Sequence, residues 1–172
     1  MALYSIVIPL YNEEEVVEEC IKRVYGVCQT FDGDYEIIFV NDGSADRTVE
    51  LTLKACEDNP KIKQLSLSRN FGHQIAITAG MDYAKGDAVI VMDADLQDPP
   101  EVIKDLIAKH KEGYDVVYAV RSKRKGETIF KKWSSKSFYR FLRYMCNIDI
   151  PVDTGDFRLL SRTVCYVMKS LT

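Results

Sequence analysis

Residues 88–101 read Ala-Val-Ile-Val-Met-Asp-Ala-Asp-Leu-Gln-Asp-Pro-Pro-Glu. The apolar run Ala88 to Met92, bounded by polar residues, reads as a buried strand. Asp98, followed by Pro99, Pro100 and Glu101, reads as the start of a helix, because proline is tolerated only in its first turn. Between strand and helix lie Asp93, Asp95 and Gln97. Working outward, the same alternation recurs. Strands are predicted at Tyr4 to Pro9, Tyr35 to Val40, Ile62 to Leu67, Asp87 to Met92 and Asp115 to Val120, with a short one at Phe157 to Leu160. Helices are predicted from Glu13 to about Gln29 (capped by Asn12), Asp46 to Glu57 (capped by Ser44 or Asp46), Gly72 to Ala84, from Asp98 onward, and Phe130 to Met145. Strands alternating with helices imply right-handed βαβ units. The fold class is therefore α/β, with a mostly parallel sheet and helices on both faces.

Ligands of such sheets bind beyond the carboxyl ends of the strands. Polar and charged groups leave the sheet there after each strand. The residues are Pro9, Tyr11, Asn12 and Glu13 after the first strand; Asn41, Asp42, Gly43 and Ser44 after the second; and Arg69 to Gly72 after the third. Asp93 to Gln97 follow the fourth, and Arg121 follows the fifth. A single Asp in such a place reads as a helix cap, but the recurrence reads as a site. Asp93 and Asp95 can both reach a hard cation, and Gln97 adds a neutral oxygen. Mg²⁺ takes one or two carboxylates plus substrate phosphates, and Mn²⁺ accepts the same oxygens. Asp98 reads as a cap. His73, after Gly72 at a helix start, fits capping or packing as readily as function.

The composition is that of one globular domain, residues 1–172, with 47% hydrophobic and 28% charged residues. No apolar run approaches the ~18 residues of a membrane-spanning helix, and the N-terminus lacks the pattern of a secretory signal. Five cysteines without C-x-x-C spacing argue against a disulfide framework or a zinc site and suit a reducing cytoplasm. The chain has no G-x-G-x-x-G, P-loop or G-x-S-x-G segment, which argues against dinucleotide oxidoreductases, P-loop NTPases and triad hydrolases. Charge is segregated. Arg121 to Arg143 holds nine Lys/Arg and one acid, a local +8, while the remainder holds 14 bases and 25 acids. Aromatic and basic residues interleave there, as in Phe130, Lys131, Lys132, Trp133 and Arg140. That pattern fits a helix lying on an anionic membrane surface, or else a packed helix with a solvated basic face. No nucleic-acid-binding motif accompanies it.

Three segments, Val7 to Glu14, Val40 to Thr48 and Met92 to Glu101, together resemble family 2 glycosyltransferases of the GT-A (Rossmann-like) fold. Leu67 to Gly72 and Thr154 to Leu159 resemble the polyprenyl-phosphate branch of that family, the dolichol-phosphate mannose synthases and bacterial undecaprenyl-phosphate glycosyltransferases. The resemblance implies that Pro9, Tyr11, Glu13, Val40 and Asp42 hold the base and ribose of a nucleotide-sugar. Asp93, Asp95 and Gln97 would hold Mg²⁺ or Mn²⁺ at the diphosphate, with Ala94 behind the nucleotide. Arg121 would lie near the donor and acceptor phosphates, and Asp156 and Arg158 where donor sugar meets acceptor. Several family members carry two transmembrane helices after this point. The expectation for this chain is peripheral attachment to the cytoplasmic face of the membrane, or integral attachment if an anchor follows.

The implied reaction is metal-dependent, inverting transfer of a sugar from a UDP- or GDP-sugar to a polyprenyl phosphate. A family 2 transferase with a sugar-hydroxyl acceptor, and a nucleotide-sugar-binding module without activity, are the alternatives. The first of these often carries a Q-x-x-R-W segment, which this chain lacks.

Overall fold

A computed structural model describes residues 1–120 and 154–171. The strands are β1 (Leu3–Leu10), β2 (Asp34–Asn41), β3 (Ile62–Ser66), β4 (Ala88–Val91), β5 (Val116–Val120) and β6 (Thr154–Ser161). The helices are α1 (Val17–Cys28), α2 (Thr48–Asp58), α3 (His73–Tyr83), α4 (Ile103–Lys111) and α5 (Arg162–Ser170), with a single 3₁₀ turn at Pro100–Val102 before α4. Met1–Tyr118 and Asp156–Thr172 belong to one compact unit, which contains every site residue among those described.

The strands form one six-stranded sheet in the order β3-β2-β1-β4-β6-β5. β1 pairs in parallel with β2 and β4, β2 pairs in parallel with β3, and β6 runs antiparallel to β4. Chain order runs outward from β1 to β3 and then jumps back to β4. Right-handed crossovers therefore place α1 and α2 on one face and α3 on the other. Both faces are covered. Val7, Val40, Val89 and Val91 pack with Ala76, Ile77 and Met81 of α3 and Cys165 of α5. The alternate residues Ile6, Ile8, Ile37, Phe39 and Ile90 point the other way and are fully buried as well. α3 lies so close to the sheet that a Cβ on Gly80 would stand 2.4 Å from Val7 Cγ1 and 2.8 Å from Val40 Cγ2. The reversal of strand order between β1 and β4 opens a crevice at their carboxyl ends, the usual ligand position in this architecture.

Several expected boundaries shift, for identifiable reasons. α1 begins at Val17 rather than Glu13, and Asn12 does not cap it. Asn12 instead adopts φ 54° and accepts a hydrogen bond from Ala45 N. α2 begins at Thr48, with Asp46 accepting from Thr48 N just outside the helix. Asp98 is not the cap of the next helix, since that position falls to Pro99. Asp95 accepts instead from Gln97 N, 3.0 Å away, and so shapes its own loop. The strand expected at Phe157 to Leu160 is twice as long as predicted, and α5 was not anticipated at all. Ser161 caps α5, accepting from Val164 N at 3.4 Å. The expected helix from Phe130 to Met145 lies outside the described residues, as does Arg121.

Candidate active site

Three loops at the carboxyl ends of β1, β2 and β3 are tied together by their own polar side chains. Asn12 N donates to Ser44 Oγ, Glu13 N to Thr48 Oγ1 and Glu14 N to Asp46 Oδ2. In return Ala45 N donates to Asn12 Oδ1 and Arg47 N to Glu14 Oε2. The loop after β3 is held still more closely. Asp42, 3% exposed, accepts from Phe71 N at 2.7 Å through Oδ1 and from Gly72 N at 2.9 Å through Oδ2. Gly43 adopts φ +71°, and a Cβ there would lie 2.5 Å from the backbone of Arg69, so only glycine lets the two loops cross. Much of the Asn41 to Thr48 motif therefore spends its side chains on building the cleft wall.

The cleft has a volume of about 310 Å³. Its lining includes Pro9 near the end of β1, Tyr11 and Glu13 after it, Asp42 after β2, Asn70 before α3, His73 at the start of α3, and Asp93, Ala94 and Asp95 after β4. Seven of the expected donor-binding positions thus come together at one place. Val40 does not join them, because its side chain is fully buried in the core under α3. Gln97 is exposed beyond the cleft wall.

The antiparallel pairing of β4 with β6 sets Val91 opposite Arg158. Continuing that register by two residues brings Asp156 opposite Asp93, and His73 stands between them. Its Nε2 lies 3.2 Å from Asp156 Oδ2 and 3.5 Å from Asp93 Oδ1. Gln74 Nε2 reaches the same Asp156 oxygen at 3.4 Å. From the sequence, His73 fits capping or packing as readily as function. The available signal is its position directly after the Leu67 to Gly72 motif, at a helix start.

The cleft is strongly acidic. Burial pushes the Asp93 carboxyl above its ordinary range. His73 works against that shift, and Asp156, Asp95 and Asp98 add to it. Burial likewise raises Glu13, helped by Asp95, Asp46 and Asp93. Among the described residues, buried Asp93 Oδ1 accepts no hydrogen bond and buried Arg158 Nε has no acceptor. Buried polar atoms are rarely left unpaired. An unpaired carboxylate oxygen among like charges is a fitting donor for a cation. Among the described residues no group of three or more His, Cys, Asp or Glu is arranged as a complete metal cage. Mg²⁺ and Mn²⁺ do not require one, since phosphate oxygens and water complete their shells.

Residues 5–167 match the family model described as Glycosyl transferase family 2. The chain belongs to glycosyltransferase family 2. It is 59% identical over 168 residues to the Bacillus subtilis protein named uncharacterized glycosyltransferase YkcC, covering 98% of this chain and 52% of that one. It is 41% identical over 160 residues to the prophage bactoprenol glucosyl transferase homolog of Escherichia coli K12, covering 93% and 52%. This family 2 chain thus spans about half the length of the curated relatives it matches. Among solved structures, the Pyrobaculum calidifontis mannosyltransferase PcManGT in complex with GDP-Man and Mn²⁺ aligns with TM-score 0.68 at 20% identity, covering 96% of this chain and 46% of that one. Glucosyl-3-phosphoglycerate synthase from Mycobacterium tuberculosis, with Mn²⁺, UDP and phosphoglyceric acid, aligns with TM-score 0.69 at 20% identity, covering 95% and 57%. At that identity the likeness establishes the shared GT-A fold.

Proposed function

We propose that this family 2 domain transfers a sugar, with inversion, from a nucleoside-diphosphate sugar to a polyprenyl phosphate in the presence of Mg²⁺ or Mn²⁺. The observation that carries the reading is Asp93 Oδ1, buried and unpaired at the strand-order reversal, beside Asp95 and a cleft of suitable size. Relatives named bactoprenol glucosyl transferases, at 41% identity, support the lipid-phosphate acceptor.

Asp93 and Asp95 would hold the cation at the diphosphate, with Gln97 assigned to assist from the same loop. A cation bound there neutralises charge building on the leaving diphosphate. Pro9, Tyr11, Glu13 and Asp42 line the part of the cleft assigned to base and ribose, and Ala94 backs the nucleotide. The nucleophile is a phosphate oxygen. A phosphate monoester has its second pKa at about 6, so it is mainly dianionic at neutral pH and needs no general base. Asp156 then orients the reacting groups rather than taking a proton. Arg158, whose buried Nε has no partner among the described residues, and Arg121 are both assigned to the acceptor phosphate. A single in-line displacement inverts the anomeric centre.

Among the described residues no helix is long and apolar enough to cross a membrane. The basic segment Arg121 to Arg143 is assigned to the anionic surface that presents the acceptor, on the cytoplasmic side. The test is an assay with UDP- and GDP-linked hexoses offered undecaprenyl phosphate or a free sugar as acceptor. Metal-dependent labelling of the lipid alone supports the reading. Labelling of the free sugar alone refutes the acceptor assignment.

A further inference from the structure

We infer that His73 is a positioning residue that keeps the two carboxylates of the cleft, Asp93 and Asp156, in separate roles. The inference rests on the transferase reading above and deepens it. An ionised carboxylate only accepts hydrogen bonds, so the ring nitrogen facing Asp156 carries the proton and donates. At 3.2 Å the bond goes to Asp156 Oδ2, while Asp93 Oδ1 at 3.5 Å accepts no hydrogen bond from any described residue. The ring thus sorts two acids that the β4–β6 register sets face to face. Gln74 adds a second donor to the oxygen His73 already holds.

The ring is itself held in place. His73 opens α3 directly after Gly72, whose N–H is bound by Asp42, so the clamp between the second and third loops sets where the imidazole stands. With His73 present, Asp156 is anchored on β6 and Asp93 keeps a bare oxygen for the cation. Without it, Asp156 loses its principal donor and is free to turn toward the same cation as Asp93. The expected loss is therefore in the chemical step, where a displacement of one reacting group by about 1 Å costs on the order of 10²-fold. Donor binding does not share that loss.

The test compares wild type with His73→Leu, which keeps the bulk and removes the donor, and with His73→Gln, whose amide N–H reaches a similar point. Transfer from the nucleotide-sugar, and UDP or GDP binding in Mn²⁺, are measured for each. His73→Leu should lose kcat by on the order of 10²-fold, with donor KM and diphosphate affinity changed less than about threefold. His73→Gln should regain most of the lost kcat. The His73 side chain is 45% exposed, so neither variant should melt more than a few degrees below wild type. Unchanged kcat in His73→Leu, or equal losses in both variants, overturns the assignment. A parallel loss of diphosphate affinity overturns it as well. A wild type that binds the diphosphate with Mn²⁺ but transfers to no acceptor refutes the transferase reading itself, and this inference with it.

Discussion

Replacing Asp42 with alanine removes the bond between the loops after β2 and β3. Its two oxygens accept from Phe71 N at 2.7 Å and Gly72 N at 2.9 Å. A hydrogen bond to a charged group contributes about 1.5–3 kcal/mol, so the pair is worth about 3–6 kcal/mol if nothing replaces the acceptor. Phe71 is 44% exposed, and water will satisfy part of the freed backbone. About 2–4 kcal/mol then remains. In a chain of this size each kcal/mol shifts Tm by about 2–4 °C, giving an expected fall of roughly 5–15 °C. Asp42→Asn keeps one acceptor and should fall less than Asp42→Ala. Calorimetric melting of the three proteins checks both statements. A shift under about 2 °C for Asp42→Ala would refute the clamp. If Asp42 also meets the nucleobase, affinity for the free nucleoside and for the diphosphate should fall by the same factor, measured at a temperature where the variant is folded.

Gly80→Val should overpack the contact of α3 with Val7 and Val40, costing about 1–3 kcal/mol or more, read as a lower Tm with no loss of helix content. Glu36 should make stability fall in acid. Burial raises its carboxyl, but hydrogen bonds from Lys63, Ser5 and Lys85 N outweigh that and hold it below the ordinary range. Its contribution is complete above the unfolded value of about 4.3 and is lost as pH falls through the lower folded value. Denaturant titrations should show Glu36→Gln weakened at pH 7, with the deficit shrinking as pH falls below about 4. Asp93→Asn should not lower Tm at pH 7.5, because it relieves a carboxylate that burial and Asp156, Asp95 and Asp98 all disfavour when ionised. A clear drop in Tm would show that Asp93 is a structural carboxylate.

The order of strands and helices is readable from the chain because each βα unit carries its own local signal, an apolar run followed by turn residues and an amphipathic stretch. Seven cleft positions follow from it, since parallel strands send their carboxyl ends to one edge. The antiparallel insertion of β6 leaves no such signal. Its register, which brings Asp156 opposite Asp93, depends on pairing across more than sixty residues. His73 is hidden for the same reason, as its partners come from two other strands. Asn12, Asp46 and Asp98 look like helix caps because short polar side chains suit both caps and loop ties. Only the hydrogen bonds between the loops after β1 and β2 show that Asn12 and Asp46 tie loops. The Val40 side chain lies in the core, since a motif residue at a strand end is as readily core as cleft.

The most direct test of the account is calorimetric titration of UDP and GDP into the protein with Mn²⁺ and then with EDTA, repeated with Asp93→Asn. The account predicts that one of the two nucleotides binds in Mn²⁺. That binding should weaken at least about tenfold both in EDTA and in the variant, on the scale of losing a charged ligand contact. Equal affinity with and without the cation, or full binding by Asp93→Asn, would contradict it.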